Sequence, residues 1–163
     1  MNQLVFITGT TALLGSALVG GVFFTFSSFV MKALSRLPSP EGIAAMQSIN
    51  VVVINRSFLG AFMGTAVLSL VMAGFAFGGW DHPSALFFLG GTMFYFVGTF
   101  LVTAFGNVPL NNQLATVSAT DSATHHVWEH YLDRWTTWNH ARTAAAMAAA
   151  LLYFLGLMQH VET

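Results

Sequence analysis

Side chains able to do chemistry gather in one ten-residue stretch of this chain, "RWTTWNHART" at residues 134–143. At roughly 100° per residue, Trp135, Trp138, Asn139 and Arg142 fall on one helical face, and His140 lies at its border. Indole, amide, imidazole and guanidinium groups can together hold an aromatic ring, move a proton and stabilise a negative charge. The next residues are "AAAMAAALLYFLG", so these groups stand at the start of an apolar segment.

Two other sets of polar residues lie at the ends of apolar runs. Asn107 and Asn111 are four residues apart in "FGNVPLNNQL", and Asn50, Asn55 and Arg56 stand before the second apolar run. Ionisable groups near a bilayer usually face the bundle interior or water. If all these groups meet at one membrane face, they form a site. The alternative is an arginine whose charge reaches the headgroups, with the tryptophans as interface anchors.

A histidine cluster offers a different chemistry. His126 and His130 are four residues apart, beside His125 and Glu129, a helical spacing that can bind a metal ion. The cluster lies on a connection between apolar runs, away from the polar groups above. We therefore assign no metal to the predicted site and keep this cluster as an alternative.

Composition identifies a membrane protein. The chain is 55% hydrophobic and 7% charged, whereas soluble domains carry about 25% charged residues. Its uncharged runs are each long enough for the ~20 apolar residues that cross a bilayer. Because helices satisfy their own backbone groups in lipid, we predict an all-α four-transmembrane-helix bundle, a single domain over residues 1–163. The predicted spans are residues 4–31, 57–79, 85–106 and 139–159.

Interfacial helices are expected between the spans. A helix over about Pro40–Ile54 follows the first span, and an aromatic stripe from Trp128 to Trp138 indicates a second one before the last span. Pro109 predicts a kink or a helix end after the third span. Small residues let helices pack closely in lipid, and two stretches have them: Ala17, Gly21, Thr25 and Ser28 in the first span, and Ala144–Ala150 in the last.

The basic residues predict an orientation. Lys32, Arg36 and Arg56 flank the first connection, and Arg134 and Arg142 flank the third, while the second connection and both tails have no Lys or Arg. By the positive-inside rule, both termini lie outside the cytoplasm. The net charge of −1 gives no reason to expect nucleic acid. Membrane lipid is the expected surrounding partner, and the sequence leaves the oligomeric state open, a homo-oligomer included.

Four segments together resemble a known family. "GVFFTFSSFVMKAL", "AMQSINVVVINRSF", "FGNVPLNNQL" and "WTTWNHART", in this order, are similar to the four-span membrane proteins that include anthrone oxygenases. The resemblance covers about residues 10 to 158. It implies oxygenation of an anthrone-like aromatic substrate by molecular oxygen, a monooxygenase reaction without a cofactor.

The residues can be given roles in such a reaction. The anion of an anthrone is electron-rich enough to react with oxygen directly, so the protein needs a base, donors for an oxyanion, and a dry aromatic pocket. His140 is the candidate base, because histidine exchanges a proton near neutral pH. The candidate oxyanion donors are Arg142, Asn139, Asn107 and Asn111. The candidate substrate contacts are Trp135, Trp138, Phe26, Asn50, Asn55 and Arg56.

A second class of function stays open. A non-catalytic membrane binding or assembly protein would use the same polar cluster to hold its helices in register. An enclosed pocket beside the cluster favours an enzyme, whereas polar groups paired with one another and no space between them favour a structural protein.

Overall fold

Four long helices form the body of the protein. The computed structural model describes residues 3–118 and 124–162, and this part of the chain contains five helices and no strand. We number them α1 (Gln3–Leu34), α2 (Ser39–Val52), α3 (Arg56–Gly78), α4 (Ala85–Ala115) and α5 (Thr124–Glu162). All but α2 are long and apolar enough to cross a membrane, as the sequence predicts.

The spans pack as a closed ring. Each of α1, α3, α4 and α5 contacts the span before and after it in the chain, and α5 closes the ring against α1. The apolar core between them is lined by residues such as Phe23, Phe62, Tyr95 and Tyr153. Both the start of α1 and the end of α5 therefore lie at one end of the bundle, beside the α3–α4 connection, and α2 lies at the other.

The packing face of α1 differs from the predicted one. Ser16 and Gly20 lie in the helix contacts, whereas a Cβ on Gly21 would meet no atom within 4 Å. Phe23 is buried in the bundle and Phe24 is exposed. The prediction for Gly21 was wrong because the face includes one bulky ring as well as small residues. On α5, Ala146 packs against Gly20 as expected.

The predicted interfacial helix before the last span is part of α5. This helix has 39 residues, about 58 Å at 1.5 Å per residue, so it extends well beyond a ~30 Å hydrocarbon core. Its first part packs under α2, where Trp128, Tyr131 and Trp135 join a second apolar cluster. These three rings are buried in the protein, which does not fit the alternative in which the tryptophans of this stripe are interface anchors.

Both α1 and α4 contain π-helical turns. In α1 the π-helical turn is Phe26–Val30, and in α4 the π-helical turns are Met93–Leu101 and Thr103–Asn107. Pro109 neither ends nor breaks α4, which continues to Ala115. Proline removes one helical hydrogen bond and crowds the carbonyl four residues earlier. The π-helical turn Thr103–Asn107 contains the carbonyl that Pro109 crowds. Such turns are frequent at functional sites.

Candidate functional site

Among the residues that the structure describes, Arg142 is the buried side chain that carries a charge. It lies on α5 and is only 5% exposed. About 20 residues, or ~30 Å, separate it from the C-terminal end of that helix. Its guanidinium carbon is 3.9 Å from the centre of the Phe23 ring and 4.9 Å from that of Trp135. An aromatic ring attracts a desolvated cation by ~2 kcal/mol. The two rings therefore offset part of the burial of the charge.

The hydrogen bonds of Arg142 are incomplete. Nε donates to Asn139 Oδ1 at 2.9 Å, and Nη1 donates to Thr103 Oγ1 at 3.4 Å. Within the described residues, Nη2 has no hydrogen bond and no carboxylate pairs with the guanidinium. A buried charge without a counter-charge is strongly unfavourable. The N–H groups of Arg142 without a hydrogen bond are donors from which an anionic or polar ligand could accept hydrogen bonds.

Asn139 fixes the orientation of Arg142. Its side chain is fully buried, and Nδ2 donates to the carbonyl of Phe23 at 2.8 Å and to Ser27 Oγ at 2.7 Å. Its Oδ1 is thereby directed at Arg142. Because Thr103 belongs to α4 and Phe23 to α1, the guanidinium is held by three helices at once.

A cavity of about 250 Å³ adjoins the guanidinium. We call it the Arg142 cavity. Most of its wall is apolar, and four side chains give it polar groups: Arg142, Asn111, Asn50 and Thr103. Aromatic rings of Phe23, Phe26, Phe58, Phe62 and Trp135 form much of the remainder. Such a space suits one planar aromatic molecule with a few polar atoms.

The cavity reaches the outer surface of the bundle. Ile54, Leu59 and Val108 line it, and each also has an exposed apolar side chain, with Ile54 69% exposed. They lie on the turn between α2 and α3, on α3 and on α4. The cavity therefore opens at a surface of exposed apolar side chains.

Asn111 presents a donor to this space. Its Oδ1 accepts hydrogen bonds from Tyr131 Oη and Trp135 Nε1, each at 2.8 Å. That network sets the amide orientation and leaves Nδ2 as the group available to a ligand. Tyr131 also accepts a bond from Asn50 Nδ2 at 3.4 Å, so Asn50 Oδ1 is the remaining acceptor.

His140 does not line the Arg142 cavity. Its side chain is exposed and lines a separate groove between α1 and α5, although Asn139 and Arg142 beside it point into the bundle. One helical residue turns the side chain by about 100°, and this step places His140 on the outer face. The predicted meeting of His140 with Asn107 and Asn111 is not what the structure has.

Three other predicted contacts also lie outside the cavity. Trp138 is 41% exposed and packs against Gly106. Asn55 caps α3, where its Oδ1 accepts a bond from the Phe58 amide at 3.0 Å. Arg56, the first residue of α3, is exposed. Of the predicted substrate contacts, the cavity holds Trp135, Asn50 and Phe26.

Asn107 is buried next to the site without lining it. Nδ2 donates to the carbonyl of Trp135 at 3.1 Å, while Oδ1 is buried and has no hydrogen-bond partner in the described part of the chain. Asn107 thus ties α4 to α5 directly beside the Arg142 cavity.

The histidine cluster is exposed at the start of α5. His125 contacts Glu129 at 3.3 Å and hydrogen-bonds Ser39 of α2 through Nδ1 at 2.9 Å, and His126 lies 3.9 Å from Glu129. Within residues 3–118 and 124–162, no group of three or more His, Cys, Asp or Glu side chains is placed to hold a metal ion.

Sequence reasoning missed Thr103 and Ser27, which hold Arg142 and Asn139. A signal for Thr103 was present, since Thr103, Asn107 and Asn111 follow at steps of four, the spacing of one helix face. Tyr131 was visible only as part of the aromatic stripe, and its hydroxyl orders both Asn50 and Asn111.

A comparison with models of protein families identifies the family of this chain. The family model described as "Anthrone oxygenase" matches residues 50–152, more than half of the 163 residues. The chain belongs to the anthrone oxygenase family. Membership indicates an oxygenase-like role and confirms the family resemblance read from the sequence. No curated protein and no solved structure matches the chain.

The matched region of this anthrone oxygenase family member contains much of the cavity. Asn50, Thr103, Asn111, Trp135 and Arg142 all lie within residues 50–152. The contribution of α1, through Phe23, Phe26 and Ser27, lies before the matched residues. Every polar side chain that lines the Arg142 cavity therefore lies in the region that carries the family match.

Proposed function

We propose that this protein is a membrane-embedded oxygenase that converts anthrone-like aromatic substrates to quinones with molecular oxygen in the Arg142 cavity. The observation that carries the proposal is the buried guanidinium of Arg142, which has N–H groups without hydrogen bonds. It lies between two aromatic rings and lines a mostly apolar cavity. The family of the chain supports the same chemistry.

Substrate binding follows from the lining of the cavity. A planar polycyclic molecule packs among Phe26, Phe58 and Trp135, with its oxyanion at the free N–H groups of Arg142. Asn111 Nδ2 supplies a second donor for a carbonyl or phenolic oxygen. Exclusion of water strengthens these interactions with the anion.

The reaction balances without a bound oxidant other than oxygen. The substrate, as its enol tautomer, loses a proton, and the delocalised anion transfers electrons to oxygen to form a carbon-bound peroxide. After protonation, loss of the second C–H proton with cleavage of the O–O bond gives the carbonyl and one water. Arg142 and Asn111 stabilise the anion on the substrate oxygen through this sequence, as preorganised oxyanion donors do.

The first proton is removed without direct contact with His140. That side chain lines the groove outside the bundle, and the described lining of the Arg142 cavity contains no histidine or carboxylate. The enol form of an anthrone is a phenol, and its ionisation yields the same anion. In this proposal the guanidinium favours the ionised form as the substrate enters, and water at the mouth of the cavity accepts the proton.

A structural role is the second candidate. Its support is that bonds from Asn139, Arg142 and Thr103 join α1, α4 and α5, which would hold three spans in register. A purely structural cluster, however, needs neither the adjoining cavity nor N–H donors that are left without a hydrogen bond.

Oxygen consumption tests the proposal. Protein purified in detergent and reconstituted in nanodiscs is given a panel of anthrones, with empty nanodiscs measuring spontaneous oxidation. We expect one oxygen consumed per quinone formed, above the empty-disc rate. A purified, folded protein that leaves every anthrone at the empty-disc rate would favour the structural candidate.

A further inference from the structure

A polar groove runs along the outer surface between α1 and α5. Its volume is about 460 Å³, and it shares no lining residue with the Arg142 cavity. Eight of its ten lining residues have polar side chains, among them Lys32, Asp133 and His140, which the oxygenase chemistry does not use. We call it the Lys32–Asp133 groove.

The exposed surface of α1 near this groove includes large apolar side chains. Phe24 and Phe29 of α1 are both exposed, as expected for side chains that face acyl chains. Hydrocarbon offers no hydrogen bonds, so polar groups in lipid need another partner. The polar groups of the Lys32–Asp133 groove therefore need a partner that a lipid tail alone does not supply.

The two charges of the groove lie towards the end of the bundle where α2 packs. Lys32 is five residues beyond Ser27 on α1, and Asp133 is six residues before Asn139 on α5, while Ser27 and Asn139 contact each other. At 1.5 Å per residue on two antiparallel helices, both charges lie about 8 Å closer to the α2 end of the bundle than that contact. The groove thus has two opposite charges at the end nearer α2.

Both charges and the hydroxyl oxygens are available to a ligand. Within the described residues, Lys32 and Asp133 make no ion pair. Ser28, Ser35 and Thr137 donate their hydroxyl protons to carbonyls of their own helices. Their oxygens are left as acceptors, so the wall offers one cation together with a carboxylate and several acceptors.

We infer that the Lys32–Asp133 groove binds the headgroup of a phospholipid that carries a primary ammonium, such as phosphatidylethanolamine. Lys32 pairs with the phosphate, and the lipid ammonium donates to Asp133 and to hydroxyl oxygens. A quaternary choline has no N–H to donate, and phosphatidylglycerol has no cation for Asp133. The groove therefore distinguishes headgroups by both charge and donor count.

Native mass spectrometry of the intact protein tests this. The protein is equilibrated with equal amounts of phosphatidylethanolamine, phosphatidylcholine and phosphatidylglycerol with identical acyl chains. We expect ethanolamine lipid adducts to dominate. Asp133→Asn should lower the preference for phosphatidylethanolamine over phosphatidylglycerol by about two- to fivefold, the size of one exposed ion pair, and Lys32→Gln should weaken retention of both.

Matched substitutions outside the groove control for net charge. Asp81→Asn, at the α3–α4 connection, and Arg56→Gln, at the start of α3, should leave the lipid preference unchanged. Equal retention of the three lipids, a preference for phosphatidylglycerol, or a lipid-free dimer abolished by Asp133→Asn would each overturn the inference. Lipid retention is measured without turnover, so the result is independent of the oxygenase activity.

Discussion

At the scale of single residues, Asn139 is the link between the backbone of α1 and the guanidinium. One amide group satisfies the Phe23 carbonyl, Ser27 Oγ and Arg142 Nε. A shorter side chain would leave several buried groups unpaired together. The position of Arg142 in the cavity therefore depends on a residue that does not line it.

Asn139→Ala should destabilise the protein. Each buried polar group that loses its partner costs about 1–3 kcal/mol, so we expect a clearly lower midpoint of thermal unfolding in detergent. Asn112→Ala is the matched control, because Asn112 is exposed on α4. Equal midpoints for Asn139→Ala and the parent protein would contradict the hydrogen-bonding scheme.

His140→Ala should keep most of the oxygen uptake. The imidazole is on the outer face of α5 and does not line the Arg142 cavity, so a bound substrate lies beyond its reach. The measurement is the initial rate of oxygen uptake with the best anthrone of the panel. A loss of about 10²–10⁴-fold, typical of a missing general base, would return that role to His140.

The lining of the Arg142 cavity was only partly predictable from the sequence. Arg142, Asn111, Asn50 and Trp135 could be found because polar or aromatic groups at the edge of an apolar run have few uses. The helical wheel left His140 at a border, and only packing against α1 decides which way such a residue faces. Ser27 carries no signal of its own, since serine is common where membrane helices pack.

At the scale of helices, α5 joins the site to the rest of the bundle. One uninterrupted helix carries Tyr131 and Trp135 under α2, Asn139 and Arg142 at the cavity, and the alanine face against α1. The π-helical turns of α1 and α4 place Phe26 and Thr103 at the same cavity. The sequence could not show whether the aromatic stripe and the last span form one helix or two, because both segments have helical periodicity.

Two glycines should respond in opposite ways to alanine. A Cβ on Gly98 would lie 2.6 Å from the Cβ of Ala145, so Gly98→Ala should push α4 from α5 and lower the unfolding midpoint. A Cβ on Gly21 would meet nothing within 4 Å, and alanine favours a helix by ~1 kcal/mol over glycine in peptides. Gly21→Ala should therefore leave the midpoint unchanged or raise it.

Thermal unfolding of both variants in one detergent makes the comparison. A Gly21→Ala protein as destabilised as Gly98→Ala would mean that Gly21 lies in a helix contact, as the small-residue pattern suggested. The face of α1 was mispredicted because Phe23 packs among small residues, and residue size alone does not define a packing face.

At the scale of the whole molecule, the four spans and the single bundle followed from apolar length and scarcity of charge. Those properties are set by the bilayer and not by particular contacts, which is why the sequence predicts them well. Arg142 is buried, so only Lys32, Arg36, Arg56 and Arg134 serve as signals of orientation. All four lie at the end of the bundle opposite the start of α1 and the end of α5.

We expect both termini outside the cytoplasm. The four exposed basic residues favour the cytoplasmic side, which places the Arg142 cavity near the cytoplasmic leaflet. Paired C-terminal fusions to a reporter active only in the cytoplasm and to one active only outside it measure the orientation. Activity of the cytoplasmic reporter alone would reverse the orientation and leave the fold as described.

The most direct measurement of the central claim is oxygen uptake by Arg142→Gln beside the parent protein and Arg142→Lys, in the same nanodiscs with the same anthrone. Glutamine keeps a donor but removes the charge, and loss of an oxyanion donor typically lowers turnover by about 10²–10³-fold. We expect that loss for Arg142→Gln in folded protein, and partial activity for Arg142→Lys because it retains a cation. Uptake by folded Arg142→Gln at the parent rate would contradict the assignment of this cavity as the oxygenase site.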